Sequence, residues 1–165
     1  MLIKILSYLL SCLPRKALLA LGRLVGCIAW YGLSKRRAIT IKNTRMAFGK
    51  DDSARIAYQS FQHFSTCFLE FIMAPYWHQS RHKRWLRFID FPDILSQQPS
   101  ILISGHIGQW ELFPVLALEH GISLVSIYQR VKHERVNQVC LELRRMLGSD
   151  CLLEKDEFTR GIQGY

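Results

Sequence analysis

A histidine and a glutamate five positions apart, His106 and Glu111, are the residues of this chain whose types and spacing best suit acid and base chemistry. On one unbroken helix, residues five apart lie about 140° apart around the axis and do not meet. Gly105 and Gly108 allow backbone angles that other residues avoid, so a turn can place the imidazole over the helical turn that carries Glu111. A carboxylate bound to one ring nitrogen leaves the other nitrogen as a base near neutral pH.

A strand, a turn and a helix are predicted to position this pair. Residues Ile101–Ser104 are apolar and rich in β-branched side chains, which predicts a buried strand that stops at Gly105. Apolar residues recur with helical spacing over Trp110–Glu119, which predicts a helix with a broad inner face. The N-terminus of that helix, near Gly108, would suit an oxyanion or a phosphate.

The next segments extend this pattern into an α/β fold. A second apolar strand at residues 123–128 completes the order strand, helix, strand, which predicts a parallel pair with a right-handed crossover. His106 would lie at the carboxyl edge of the sheet, where open α/β sheets bind ligands. An amphipathic helix follows at 133–147, with Arg144 on its outer face, and another strand begins at 151–153. The predicted fold class is α/β, with N-terminal apolar and amphipathic helices followed by a partial, mainly parallel sheet with flanking helices.

Two segments resemble one protein family. Residues 105–112, Gly-His-Ile-Gly-Gln-Trp-Glu-Leu, are similar to the signature of the bacterial lipid A biosynthesis acyltransferases, in the glycerolipid acyltransferase superfamily. The family signature is usually Gly-His-Phe-Gly-Asn-Trp-Glu, so Ile107 and Gln109 are mild departures. Residues 42–48, Lys-Asn-Thr-Arg-Met-Ala-Phe, resemble a second family pattern, Arg-Asn-Leu-Arg-X-Ala-Phe. The alternative interpretation of the first segment is a core histidine followed by an ordinary first-turn carboxylate.

The resemblance implies an O-acyltransferase with His106 and Glu111 as catalytic residues. A fatty acyl group would pass from an acyl carrier protein or coenzyme A thioester to a hydroxyl of a lipid A precursor or a related glycolipid or phospholipid. The thioester is a co-substrate, and neither a cofactor nor a metal is implied. The resemblance also implies substrate binding by four residues: Gly105, Gly108, Trp110 and Arg130.

Arg130 follows the second predicted strand within Tyr-Gln-Arg, which is similar to the family's Tyr-Arg-Pro. On the same sheet edge as His106 it would bind a phosphate of an anionic lipid. An exposed loop arginine is the alternative interpretation.

Family members usually run to nearly twice the 165 residues of this chain, so we expect it to be truncated at its C-terminus. Residues 1–50 would be membrane-associated basic apolar helices, and residues 51–165 the first part of an acyltransferase-like α/β domain. The alternative to an active enzyme is a catalytically inactive relative that only associates with a membrane.

The net charge of +9 comes from the N-terminal third of the chain. Residues 1–50 contain ten Lys or Arg and no Asp or Glu, mixed with many apolar residues. This mixture favours an anionic membrane surface over nucleic acid, which prefers basic residues on polar loops with exposed aromatics. We therefore expect a membrane surface and no nucleic-acid partner, and the family resemblance implies the cytoplasmic face of the inner membrane as the location.

Several N-terminal segments are predicted to be helical. The apolar segments 1–13 and 17–33 are shorter than the ~20 residues of a membrane span, so they are expected to lie in one leaflet. A helix packed in a soluble core is the alternative. Residues 35–48 are predicted to be basic and amphipathic.

A helix is predicted from Ser53 to Met73. Its Glu70 is expected to be solvated or capped. Four phenylalanines at helical spacing are expected to pack in the core, with a hydrocarbon pocket as the alternative for some of them in a protein that handles acyl chains: Phe61, Phe64, Phe68 and Phe71. A short strand is predicted at 86–91. Five cysteines, an odd number without close pairing, argue against a disulfide framework and a zinc site, so they are expected to be small buried apolar residues.

Overall fold

The computed structural model of the protein describes residues 2–79, 98–103, 105–122, 124–147 and 151–156. Its N-terminal part consists of helices α1 (Leu2–Cys12), α2 (Arg15–Gly32), α3 (Ser34–Phe48) and α4 (Ser53–Met73). Pro14 separates α1 from α2, and its extended backbone precedes the first turn of α2. Proline cannot donate to a preceding helix, so this break follows directly from the sequence.

Helix α2 packs closely against α4 along a surface of small residues. Leu18 is fully buried there, and Gly22 and Gly26 follow at one-turn intervals. A Cβ atom on Gly26 would lie 2.5 Å from the Cα of Gln62, and one on Gly22 would lie 2.7 Å from the Cα of Thr66. The two helix backbones approach each other so closely because these glycines carry no side chain.

The N-terminal helices keep part of their apolar surface on the outside. Leu24, Ile28 and Tyr31 of α2 are exposed, as are Ile5 and Leu9 of α1. Among the described residues, no single helix is both long and apolar enough to cross a membrane. Helices α2 and α3, which meet at a bend of 100°, have the length and composition of a span only when taken together.

Helix α3 is basic but does not have one apolar face. Ile39 and Met46 are exposed on one side of it, and Phe48 is exposed on the opposite side. Its buried Thr44 donates a hydrogen bond to the carbonyl of Ser53 at 2.9 Å, which ties α3 to the start of α4. The amphipathic pattern predicted for this segment is therefore wrong.

Helix α4 supplies much of the core, but not through all of its phenylalanines. Phe71 is buried and Phe61 is half-buried, whereas Phe64 and Phe68 are exposed, so the predicted core stripe is only partly right. The main buried cluster joins the N-terminal helices to the rest of the described chain: Leu10, Leu18, Phe71, Ile72, Met73, Ala74, Leu112, Val115, Leu143 and Leu147.

The sheet that the structure describes has two parallel strands, β1 (Val125–Tyr128) and β2 (Cys151–Glu154). Val125 pairs with Cys151 and Tyr128 with Glu154. Helix α5 (Phe113–Glu119) precedes β1, and helix α6 (Glu134–Met146) lies between the two strands in sequence. The predicted fold class, helices followed by a partial parallel sheet with flanking helices, is confirmed.

The strand predicted at Ile101–Ser104 does not form over residues 101–103, and Ser104 lies outside the described residues. Ile101 and Ile103 are 93% and 91% exposed. A strand needs a neighbour to satisfy its backbone groups, and the described sheet pairs β1 with β2 instead. The parallel pair therefore joins residues 125–128 to residues 151–154, instead of joining the predicted strands at 101–104 and 123–128. The strand predicted at 86–91 also lies outside the described residues.

Candidate active site

His106 lies at the centre of a tight turn. The backbone N–H of Ile107 donates to the carbonyl of Gly105 at 2.8 Å, which closes a three-residue turn around His106. Gly108 follows with φ of 61°, a left-handed conformation that favours glycine. Gly108 therefore has the role predicted for it, whereas Gly105 keeps an ordinary backbone conformation and is exposed.

The imidazole of His106 is exposed and rests against Trp110. The two ring centroids are 4.5 Å apart with an interplanar angle of 60°, an edge contact of the kind that aromatic rings prefer. Trp110 begins a 3-10 turn, Trp110–Leu112, that leads into α5. The predicted helix is therefore present, but its α-helical part is only seven residues long. So short a helix has a small dipole, which weakens the case for an oxyanion site at its N-terminus.

Glu111 binds an arginine that the sequence pattern had placed on the outer face of its helix. Arg144 of α6 donates from Nε to one carboxylate oxygen at 3.0 Å and from Nη2 to the other at 2.6 Å. The side chains of Arg144 and Glu111 are only 23% and 15% exposed. The hydrogen bond with Glu111 raises the pKa of Arg144, so the guanidinium stays charged. In this arrangement His106 contacts the ring of Trp110, whereas Glu111 forms an ion pair with Arg144.

We expect Arg144→Met to lower the free energy of unfolding by about 2 kcal/mol, because it leaves the Glu111 carboxylate without its partner in a mostly buried position. Urea unfolding followed by circular dichroism measures the change. Arg145→Met is the matched control, since Arg145 is exposed in the same helical turn. Equal midpoints for the two variants would contradict the prediction.

A cleft of about 480 Å³ lies between the His106 turn and α4. His106, Gly108 and Trp110 form one side of it. The α4 side combines apolar and polar residues: Ile56, Gln59, Ser60, His63, Phe64 and Cys67. Phe64, which is 63% exposed, thus borders the cleft instead of packing in the core.

His63 and Cys67 form a pair that the sequence analysis missed. They are four residues apart on α4, a spacing that places them on one helix face, and His63 Nε2 lies 3.6 Å from Cys67 Sγ. The thiol of Cys67 also donates to the carbonyl of Gly108 at 3.6 Å. Burial, and then the negative charge of Glu70, raise the pKa of the Cys67 thiol. Cys67 is buried as predicted, whereas Cys12 is exposed, contrary to prediction.

We expect the Cys67 thiol to react slowly with iodoacetamide, and its rate to keep rising beyond pH 9, because its raised pKa delays formation of the reactive thiolate. Peptide mass spectrometry can follow Cys67 and the exposed Cys12 in one sample. In denaturant the two rates should become equal. A faster reaction at Cys67 than at Cys12 in the folded protein would count against the prediction.

Of the two environments expected for Glu70, solvated or capped, the solvated one is wrong, because the residue is buried and paired. Only 6% of it is exposed, and its carboxylate accepts from Arg15 at the start of α2. Arg15 compensates the buried charge, which explains why an acidic residue is tolerated on this face of α4.

Arg130 lies just after β1, where the sequence placed it, and is exposed. It forms a 2.6 Å ion pair with Glu134, the first residue of α6. A phosphate would therefore compete with Glu134 for this guanidinium. No group of three or more potential metal ligands is found among the described residues.

The family model of the bacterial lipid A biosynthesis acyltransferases matches residues 1–165. The chain belongs to this family. Curated proteins give no match, and solved structures give none either. Membership in the family supports lipid A acyltransferase-type acyl transfer, with an acyl donor and a lipid acceptor.

Proposed function

We propose that the chain is an O-acyltransferase that moves a fatty acyl group from an acyl carrier protein or coenzyme A thioester to a hydroxyl of a lipid A precursor or a related glycolipid or phospholipid. The observation that carries this proposal is the position of His106, an exposed imidazole beside a partly apolar cleft. An acyl chain fits such a cleft, since Ile56, Phe64 and Trp110 line it. The family match supports the same reaction type.

His106 acts as the general base in this proposal. It takes the proton from the acceptor hydroxyl as the hydroxyl oxygen attacks the thioester carbonyl carbon. The carbon–sulfur bond then breaks, the thiolate leaves, and the imidazolium returns its proton to that sulfur. The products are an ester and a free thiol. No covalent acyl-enzyme, cofactor or metal takes part.

Glu111 orients His106 and stabilises the imidazolium in this mechanism. Its carboxylate is bound by Arg144, which uses two of its roughly four acceptor positions. The mechanism requires one of the remaining positions to accept from the imidazole in the substrate complex, where catalytic hydrogen bonds often tighten. Arg144 then fixes the carboxylate from the side of α6.

Binding of the substrates uses charge and the His106 turn. The basic N-terminal helices attract the anionic lipid surface at the cytoplasmic face of the inner membrane, and basic side chains also suit an acidic carrier protein. Arg130 contacts a phosphate of the acceptor by exchanging its pairing with Glu134. Gly105, Gly108 and Trp110 shape the site around the reacting carbonyl.

Incubation of the purified chain with extracted lipid A precursors and either acyl carrier protein or coenzyme A thioesters tests this function. Mass spectrometry of the lipid should show an added acyl group, and release of free thiol should match it in amount. Well-folded chain that binds anionic vesicles but transfers no acyl group from either donor would contradict the proposal and favour the inactive membrane-associated relative.

A further inference from the structure

The turn that carries His106 is attached to α4 by the residue between Gly108 and Trp110. The side-chain amide of Gln109 donates to the backbone carbonyl of Cys67 and lies 3.5 Å from a carboxylate oxygen of Glu70. The carbonyl of Gln109 accepts from the backbone N–H of Leu112 at 3.2 Å, which closes the turn before α5. Gln109 therefore connects the segment containing Glu111 to α4.

Two features make α4 a firm support for this residue. The Cys67 thiol donates to the carbonyl of Gly108, so Cys67 contacts two successive residues of the turn. Glu70, one turn later, is buried and held by Arg15 of α2. The amide of Gln109 thus rests on groups that are themselves fixed by packing and pairing.

We propose that Gln109 is a positioning residue for the proposed reaction: its amide, bound to Cys67 and Glu70, fixes the turn that places His106 at the cleft. This inference rests on the proposed function but has a structural consequence of its own. Without the amide, the turn keeps its covalent path and the Cys67–Gly108 hydrogen bond but loses the two contacts that the amide makes with α4. His106 then samples positions away from the reacting hydroxyl, while the α4 side of the cleft, which includes Ile56 and Phe64, is unchanged.

Gln109→Met tests the proposal, because it retains the length of the side chain and removes the amide. We expect kcat to fall about 10- to 100-fold with KM changed less than about twofold, since displacement of a catalytic group by about 1 Å has effects of this size. Amide hydrogen exchange over residues 105–112 should become about tenfold faster, while α2 and α4 exchange as before. Gln138→Met is the matched control, since the Gln138 amide donates to Glu134 on the exposed side of α6.

Gln109→Asn keeps an amide that is one methylene shorter and should lie between wild type and Gln109→Met in both measurements. If Gln109→Met does not fold, Gln109→Asn tests the proposal in its place. Exchange over residues 105–112 that matches the Gln138→Met control, or a change in KM without a change in kcat, overturns the proposal. If the wild-type chain transfers no acyl group, the proposed function fails and hydrogen exchange alone decides whether Gln109 anchors the turn.

Discussion

His106→Ala is expected to lower the rate of acyl transfer by about 10²- to 10⁴-fold, the usual contribution of a general base. The side chain is exposed, and its ring contact within the described residues is with Trp110, so its removal should cost little stability. The midpoint of urea unfolding and binding to anionic vesicles should therefore stay close to wild type. Initial rates with the acyl thioester and lipid acceptor measure the loss.

His120→Ala is the matched control, since His120 is an exposed histidine that does not line the cleft. It should keep wild-type activity. Full transfer activity in the His106→Ala protein would show that another group accepts the proton. Equal losses in both variants would point to a general effect of removing an imidazole.

Gly26→Leu is expected to lower the free energy of unfolding by about 4 kcal/mol or more, beyond the usual range for an overpacked core. A Cβ at this position would lie 2.5 Å from the Cα of Gln62 and 2.8 Å from the carbonyl oxygen of Phe61. Both are backbone atoms of α4, so they cannot rotate away as a side chain can. The two helices must separate, which exposes Leu18 and its neighbours.

Gly32→Leu is the control for this substitution, because a Cβ at Gly32 meets no atom within 4 Å. Its free energy of unfolding should stay within about 0.5 kcal/mol of wild type, as for most exposed substitutions. Urea unfolding of both variants, followed by circular dichroism, compares them directly. A Gly26→Leu protein as stable as Gly32→Leu would contradict the close packing of α2 on α4.

The helices that sequence analysis located well are those with local start and stop signals. Pro14 separates α1 from α2, and the apolar spacing of α4 extends from Ser53 to Met73 as predicted. Strand β1 was also found from its apolar run. The run at Ile101–Ser104 has the same apolar pattern, but its described residues 101–103 form no strand, because strand formation depends on a neighbouring strand that a single segment does not reveal.

The sequence predicted the parts of the site whose residues are neighbours in the chain, and it did not predict the contacts between distant residues. The turn at His106 and the left-handed Gly108 follow from local chemistry. The partners of the turn come from elsewhere: Arg144 lies 33 residues from Glu111, and Cys67 lies 42 residues from Gln109. Nothing in a single sequence marks these pairs, because they depend on how α4 and α6 pack.

The buried cluster has a consequence for synthesis of the protein, because it joins Leu10 of α1 to Leu147 just after α6. Contacts between residues so far apart along a chain form late and slow folding. While the ribosome is still adding α6, the cluster lacks Leu143 and Leu147, so Leu10 and its neighbours on α4 are not yet fully covered. A nascent chain halted before α6 should therefore be more sensitive to protease in α1 than the completed one.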